Sequence, residues 1–266
     1  MSNQSPILPE SNDDPSGDPF DAPWAALRRL TAARIGLARS GASLATGPLL
    51  ELRLAHARAR DAVRARLDEE RLGADLETLG LPVLAVSSAV SDRPQYLMRP
   101  DLGRQLAPDA TNVLASHAGS GHDVALVISD GLSVRAVERH ARPLLGELLP
   151  QLRANDWRIA PLTIVRQGRV AIGDAVAQLL RASLVVILIG ERPGLSAPDS
   201  MGAYLTWQPG PHTTDANRNC ISNIRPAGID PSEAARKIMH LARAMRARQL
   251  SGVGLKDESD RLLIET

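Results

Sequence analysis

The chain has 266 residues, enough for one or two domains with a real core, and its 44% hydrophobic and 23% charged content is that of an ordinary soluble globular protein. Its 31 basic and 30 acidic residues leave a net charge of +1, which argues against a general nucleic-acid or membrane-surface binder. A lone cysteine, Cys220, excludes an intramolecular disulfide and suits a reducing cytoplasm, and no apolar run approaches the roughly 20 residues of a membrane span.

Residues 1–20 are polar and rich in proline, with Pro6, Pro9, Pro15 and Pro19. Such a segment buries too little surface to offset its ordering entropy, so it is expected to be a disordered tail, and it lacks the basic start and apolar stretch of a signal peptide. A mainly helical region is expected over 21–118. It begins with a short helix, Trp24 to Ala33, with Pro23 near its first position. A loop, Gly36 to Thr46, leads to a long amphipathic helix from Pro48 to Leu67, with Leu50, Leu54, Ala57 and Asp61 on one side and Arg53, Arg60 and Arg64 on another. Ser87 to Leu106 reads as irregular, with a short helix near Asp101 to Leu106, and His117 to Gly121 as a connection.

From residue 119 the pattern changes. Val124 to Ser129 is a continuous apolar run followed by the turn Asp130-Gly131 and a helical stretch from Ser133, which Pro143 is expected to break into two helices. Ile159 to Val165 is the next strand, Ile172 to Leu180 the next helix, Leu184 to Gly190 a third and wholly apolar strand, and Ala203 to Trp207 a weaker one. A last helix has Asp230 as N-cap, Pro231 at its first position, Glu233 as capping-box partner, and a stop signal at Gly252. Strands buried on both faces and alternating with helices predict an α/β fold with a Rossmann-like, mostly parallel sheet over 119–266.

In such sheets ligands bind beyond the carboxyl ends of the strands. The loops Ser129 to Ser133, Arg166 to Val170 and Gly190 to Ser196 hold those positions, and Thr214 to Asn223 is an irregular segment dense in polar side chains. Each has a plain reading as well. Asp130-Gly131 makes a turn with Ser133 as helix cap, Glu191 forms a solvated pair with Arg192, and Cys220 is a small buried hydrophobe. The sequence holds no phosphate-binding P-loop, no Gly-x-Gly-x-x-Gly after a strand, no metal-ligand spacing among the six histidines and no nucleophile elbow. No catalytic or metal-binding residue is assigned, and an accessory binding subunit follows.

The same loops carry a resemblance. Ala33 to Ala42, Tyr96 to Arg104, Val127 to Ser133, Val165 to Asp174, Ile189 to Ser196 and Asn219 to Arg225 closely resemble the small-subunit (light-chain) family of ethanolamine ammonia-lyase. The resemblance spans about residues 24 to 255, and the combination carries it, since no single stretch would suffice. It implies adenosylcobalamin (coenzyme B12) held between this chain and a large catalytic subunit in a hetero-oligomer, for radical deamination of ethanolamine to acetaldehyde and ammonia. It places the cofactor contacts on Val170, Glu191 and Cys220. The chain lacks the Asp-x-His-x-x-Gly motif of B12 proteins that replace the cofactor's own base, so dimethylbenzimidazole is expected to stay on cobalt. Some family members carry a longer leader associated with a bacterial microcompartment. The short acidic leader here makes the cytoplasm the first expectation and a microcompartment the second. The competing readings are a stand-alone nucleotide-dependent oxidoreductase, which lacks its glycine fingerprint, and a non-catalytic structural partner of a larger enzyme.

Overall fold

A computed structural model describes residues 22–257, and the expected tail at 1–20 lies outside them. The chain divides into two compact units after Ala55. The first contains α1 (Ala22–Arg28), a two-residue antiparallel pair β1 (Arg39–Ser40) and β2 (Ser43–Leu44), and the start of α2 (Thr46–Arg64). Arg28 closes the end of α1 by donating from Nε to the carbonyl of Ile35 at 3.0 Å. The side of α2 expected to be apolar is largely solvent-facing, with Leu50 58% and Leu54 50% exposed, whereas Ala55 and Ala62, seven residues apart, are buried.

The second unit adds α3 (Glu69–Glu77), β3 (Val83–Ser87), α4 (Arg93–Met98), a 3-10 turn at Leu102–Arg104 and α5 (Pro108–Ala115). Then come β4 (His122–Ser129), α6 (Val134–Arg153), β5 (Leu162–Arg166), α7 (Ile172–Leu179) and β6 (Ala182–Gly190). The chain closes with β7 (Met201–Trp207), β8 (Arg218–Ile224) and α8 (Pro231–Arg248). The last six strand-forming segments build one sheet in the order β3-β5-β4-β6-β7-β8. The β3–β5, β5–β4 and β4–β6 pairs are parallel, and β6–β7 and β7–β8 are antiparallel. The fold is α/β, a mostly parallel mixed sheet flanked by helices.

Period-two alternation in the central strands separates two cores. Val124, Leu126 and Ile128 of β4 and Leu184, Val186 and Leu188 of β6 face α6 and α8, while Ala125, Val127, Val185, Ile187 and Ile189 face α5 and α7. Both faces are covered, so both strands read as unbroken apolar runs. Asp230 caps α8 as expected, accepting from the amide of Glu233 at 3.0 Å, and the helix ends on left-handed Gln249.

Three expectations are corrected. Pro143 does not break its helix, because α6 runs unbroken from Val134 to Arg153 with Pro143 and Pro150 inside it. Both prolines lie on the exposed side, while Leu144, Leu145, Leu148, Leu149 and Leu152 form one buried stripe that holds the helix on the sheet. Ser87 to Leu106 contains α4, capped by Asp92, which accepts from Gln95 at 2.8 Å. The polar segment before α8 is not irregular throughout, since its second half is β8, an edge strand.

Candidate functional site

Chain order reverses about β4. From β4 the chain steps through α6 to β5 on one side, then crosses through α7 to β6 on the other. The carboxyl ends of β4, β5 and β6 therefore present three loops side by side, which is where open α/β sheets hold ligands. Two glycines let these loops touch. Gly131 has φ +53°, and a Cβ there would stand 2.3 Å from the carbonyl oxygen of Gly190, while a Cβ on Gly190 would stand 2.1 Å from that of Ser133. The amide of Leu132 donates to Gly190 at 2.9 Å, so the two strand ends are joined through main chain.

Beneath this contact lies a buried polar cluster. Asp130 is 2% exposed and receives Arg93 Nη1 at 3.0 Å and the Gln167 amide at 2.6 Å. Burial pushes its carboxyl up to about 6, against the opposing pull of Arg93. Arg93 and Arg169 lie over Tyr96 at 4.6 and 4.1 Å from the ring centre. The Tyr96 hydroxyl donates to Gly168 at 3.1 Å, and burial raises its pKa. Ser133, expected as a helix cap, has the extended backbone of one, but its hydroxyl goes instead to the carbonyl of Pro198 at 2.8 Å.

Two cavities open on these loops. One, of about 310 Å³, is lined by Pro100, Arg104, Val170, Asp215, Arg218 and Cys220 among others. The second, of about 390 Å³, is lined by residues that include Gly131, Leu132, Val170, Gly190, Glu191 and Arg192. Arg169, Val170 and Tyr204 belong to both walls. Val170, Glu191 and Cys220, which lie far apart in sequence, thus come together around Tyr204: Val170 in both cavities, Glu191 in one, Cys220 in the other.

Their local chemistry differs from the plain readings. Glu191 pairs with no arginine among the described residues. Its Oε1 accepts from Ser222 Oγ at 2.5 Å, and its Oε2 from Ser200 Oγ at 2.5 Å and the Asn223 amide at 3.2 Å. A carboxylate has about four acceptor sites, so three bonds leave one open on Oε1. Cys220 is a free, exposed thiol directly across from Tyr204 in the β7–β8 ladder. Desolvation and the Glu191 charge hold its pKa up, against the Tyr204 hydroxyl, while desolvation and Cys220 raise that of Tyr204. Both groups stay neutral near pH 7.

Arg218 and Tyr204 were not singled out from sequence as site residues. Arg218 makes two 2.7 Å bonds to Asp174 on α7 and donates to Thr206 at 3.1 Å, a buried fork that fastens the edge strand to the helix. Its only sequence signal is an arginine inside a polar run. Among the described residues no group of three His, Cys, Asp or Glu side chains is arranged to hold a metal ion. The cavity walls offer hydrogen-bond donors and acceptors around an apolar valine, an arrangement suited to gripping a large ligand by its polar groups.

The adjoining cavities lie at the carboxyl edge of a mostly parallel sheet, the place where α/β proteins of this architecture bind ligands. The family model described as Ethanolamine ammonia-lyase light chain (EutC) matches residues 21–256, and the chain belongs to that family. A Ralstonia nicotianae protein named ethanolamine ammonia-lyase small subunit is 49% identical over 97% of both chains. The Azotobacter vinelandii protein of that name is 53% identical over 90% of this chain and 89% of its own. One from Xanthomonas campestris pv. campestris is 52% identical over 95% and 93%.

Proposed function

We propose that this chain is the small subunit of an adenosylcobalamin-dependent ethanolamine ammonia-lyase and forms one wall of the cofactor site, completed by a larger subunit. The observation that carries the reading is the convergence of Val170, Glu191 and Cys220, from three separate segments, on two adjoining cavities. The names of the relatives, each a small subunit of that carbon–nitrogen lyase, support a larger partner.

The residues present fit a corrinoid in chemical type. A corrin carries amide side chains on its rim. The open acceptor of Glu191 matches an amide donor of that rim, and Val170, which lines both cavities, presents an apolar side chain beside it. Cys220, neutral and small, allows close approach without ligating metal. Cavities of about 310 and 390 Å³ take only peripheral groups of so large a ligand, so most of its enclosure falls to the partner. When bound, adenosylcobalamin supplies an adenosyl radical by cobalt–carbon homolysis. The residues of this chain orient and desolvate one edge of the cofactor, and the substrate site belongs to the large subunit. No helix among the described residues is long and apolar enough to cross a membrane. We place the complex in the cytoplasm, with a bacterial microcompartment as the other location.

Mixing the purified chain with its large subunit should give a complex that retains adenosylcobalamin and releases acetaldehyde and ammonia from ethanolamine, while neither chain does so alone. Turnover by this chain without a partner would overturn the accessory role. Binding of a nicotinamide dinucleotide but no corrinoid would replace it with the oxidoreductase reading.

A further inference from the structure

The cavity beside Cys220 contains more positive charge than the chain itself neutralises. Three guanidiniums line it, those of Arg104, Arg169 and Arg218, with one carboxylate, Asp215. Arg218 is already engaged, through the two bonds to Asp174 and a 3.3 Å contact from Nε to Asp215. Arg104 and Arg169 have no carboxylate of this kind. Neither forms an ion pair among the described residues. Arg169 donates from Nη2 to the carbonyl of Tyr96 at 3.0 Å, and its Nε is buried without an acceptor. Arg104 is exposed at the end of the 3-10 turn.

Main chain adds to this charge. The amides of Ile172, Gly173 and Asp174 close on the carbonyls of Arg169, Val170 and Ala171 at 2.9, 3.2 and 3.2 Å. The two preceding amides, of Val170 and Ala171, find no acceptor among the described residues, and both residues line the cavity. Partnerless amides where a helix begins, flanked by unpaired arginines, are the chemistry that takes a phosphate group.

We infer that Arg104, Arg169 and the amides of Val170 and Ala171 form an anion subsite that takes a phosphodiester, the one anionic group of a complete cobalamin. This rests on the cofactor reading above and adds a division of labour: the Glu191 cavity meets the amide rim, and the Cys220 cavity meets the phosphate of the nucleotide tail. Asp215 faces the same cavity and opposes the anion, which sets a sign that can be tested.

In the complex with the large subunit, equilibrium binding of adenosylcobalamin is compared with that of adenosylcobinamide, which lacks the phosphodiester tail. Arg104→Gln, an exposed change that leaves no buried group unpaired, should weaken cobalamin about tenfold, roughly 1.4 kcal/mol, and leave cobinamide within about twofold. Asp215→Asn should act in the opposite direction, strengthening cobalamin alone. Inorganic phosphate should compete with cobalamin and not with cobinamide. Equal effects on both corrinoids would overturn the assignment to the phosphodiester. If neither corrinoid binds the parent complex, the cofactor reading fails, and inorganic phosphate titrated into the full-length chain decides the subsite. Saturable shifts of the Val170 and Ala171 amide resonances, lost in Arg104→Gln, would sustain it, and their absence would overturn it.

Discussion

At the scale of single residues, Asp130 and Glu191 show two ways of holding a carboxylate near a cavity. Asp130 is buried, and its folded pKa of about 6 stands above the ordinary value of 3.8. The folded state therefore holds a proton that the unfolded state has released between those values, so stability from this group falls as pH rises through the window. The span is worth about 3 kcal/mol. Asp130→Asn removes the dependence. Urea midpoints between pH 4 and 7 should show the parent losing stability relative to Asp130→Asn as pH rises. The reverse trend would mean that the Arg93 pair outweighs burial. Glu191 is held by Ser200, Ser222 and the Asn223 amide. Its replacement by Gln turns one acceptor into a donor that faces hydroxyls or an amide. Charge-assisted bonds of this kind contribute about 1.5–3 kcal/mol each, so Glu191→Gln should lower the melting temperature of the cofactor-free complex and weaken cobalamin binding about tenfold. A lower melting temperature with unchanged affinity would confine Glu191 to bracing β6 against β8.

At the scale of elements, what the sequence revealed depended on where each strand sits. The central strands β4 and β6 are buried on both faces, and their apolar runs announced them. The edge strand β8 has only Ile221 and Ile224 buried, and its other side chains act through specific partners: Arg218 through Asp174, Asn219 through the Leu255 carbonyl, Ser222 through Glu191. Such pairings leave no hydrophobic period to read. The other edge strand, β3, did carry an apolar run, Val83 to Val86, but it is short, half exposed and directly follows Pro82, and it passed unnoticed within a region read as helical. The helix α3 did carry a signal, Asp68 accepting from Arg71 and an acidic first turn, but only two buried leucines to support it. Pro143 misled because a missing N–H is a local penalty, whereas the buried face extends along the whole helix, from Val134 and Val137 before the proline to five leucines after it. Pro143→Ala should restore the bond to the carbonyl of Arg139 without disturbing a buried contact. The gain, set against the entropy that proline removes from the unfolded chain, should be about 2 kcal/mol. A urea midpoint that falls would show that the restriction proline places on the unfolded chain outweighs the missing hydrogen bond.

At the scale of the whole molecule, the mostly parallel sheet was legible from alternation, and the loops at its carboxyl edge from topology. The two cavities were not. They depend on Tyr204 lying across from Cys220, on Arg169 lying over Tyr96, and on glycines that permit contact between loops 59 residues apart, none of which leaves a local pattern. The crossing of Gly131 and Gly190 has a further consequence for the thermodynamics of association. At Gly131 and Gly190 themselves the cavity wall has no side chain, and the main chain there is already hydrogen-bonded between Leu132 and Gly190. Ligands that close on flexible side chains lose about 0.5–1.5 kcal/mol for each one they immobilise. At these two glycines there are no rotamers to freeze, so that part of the surface is already ordered before a ligand arrives.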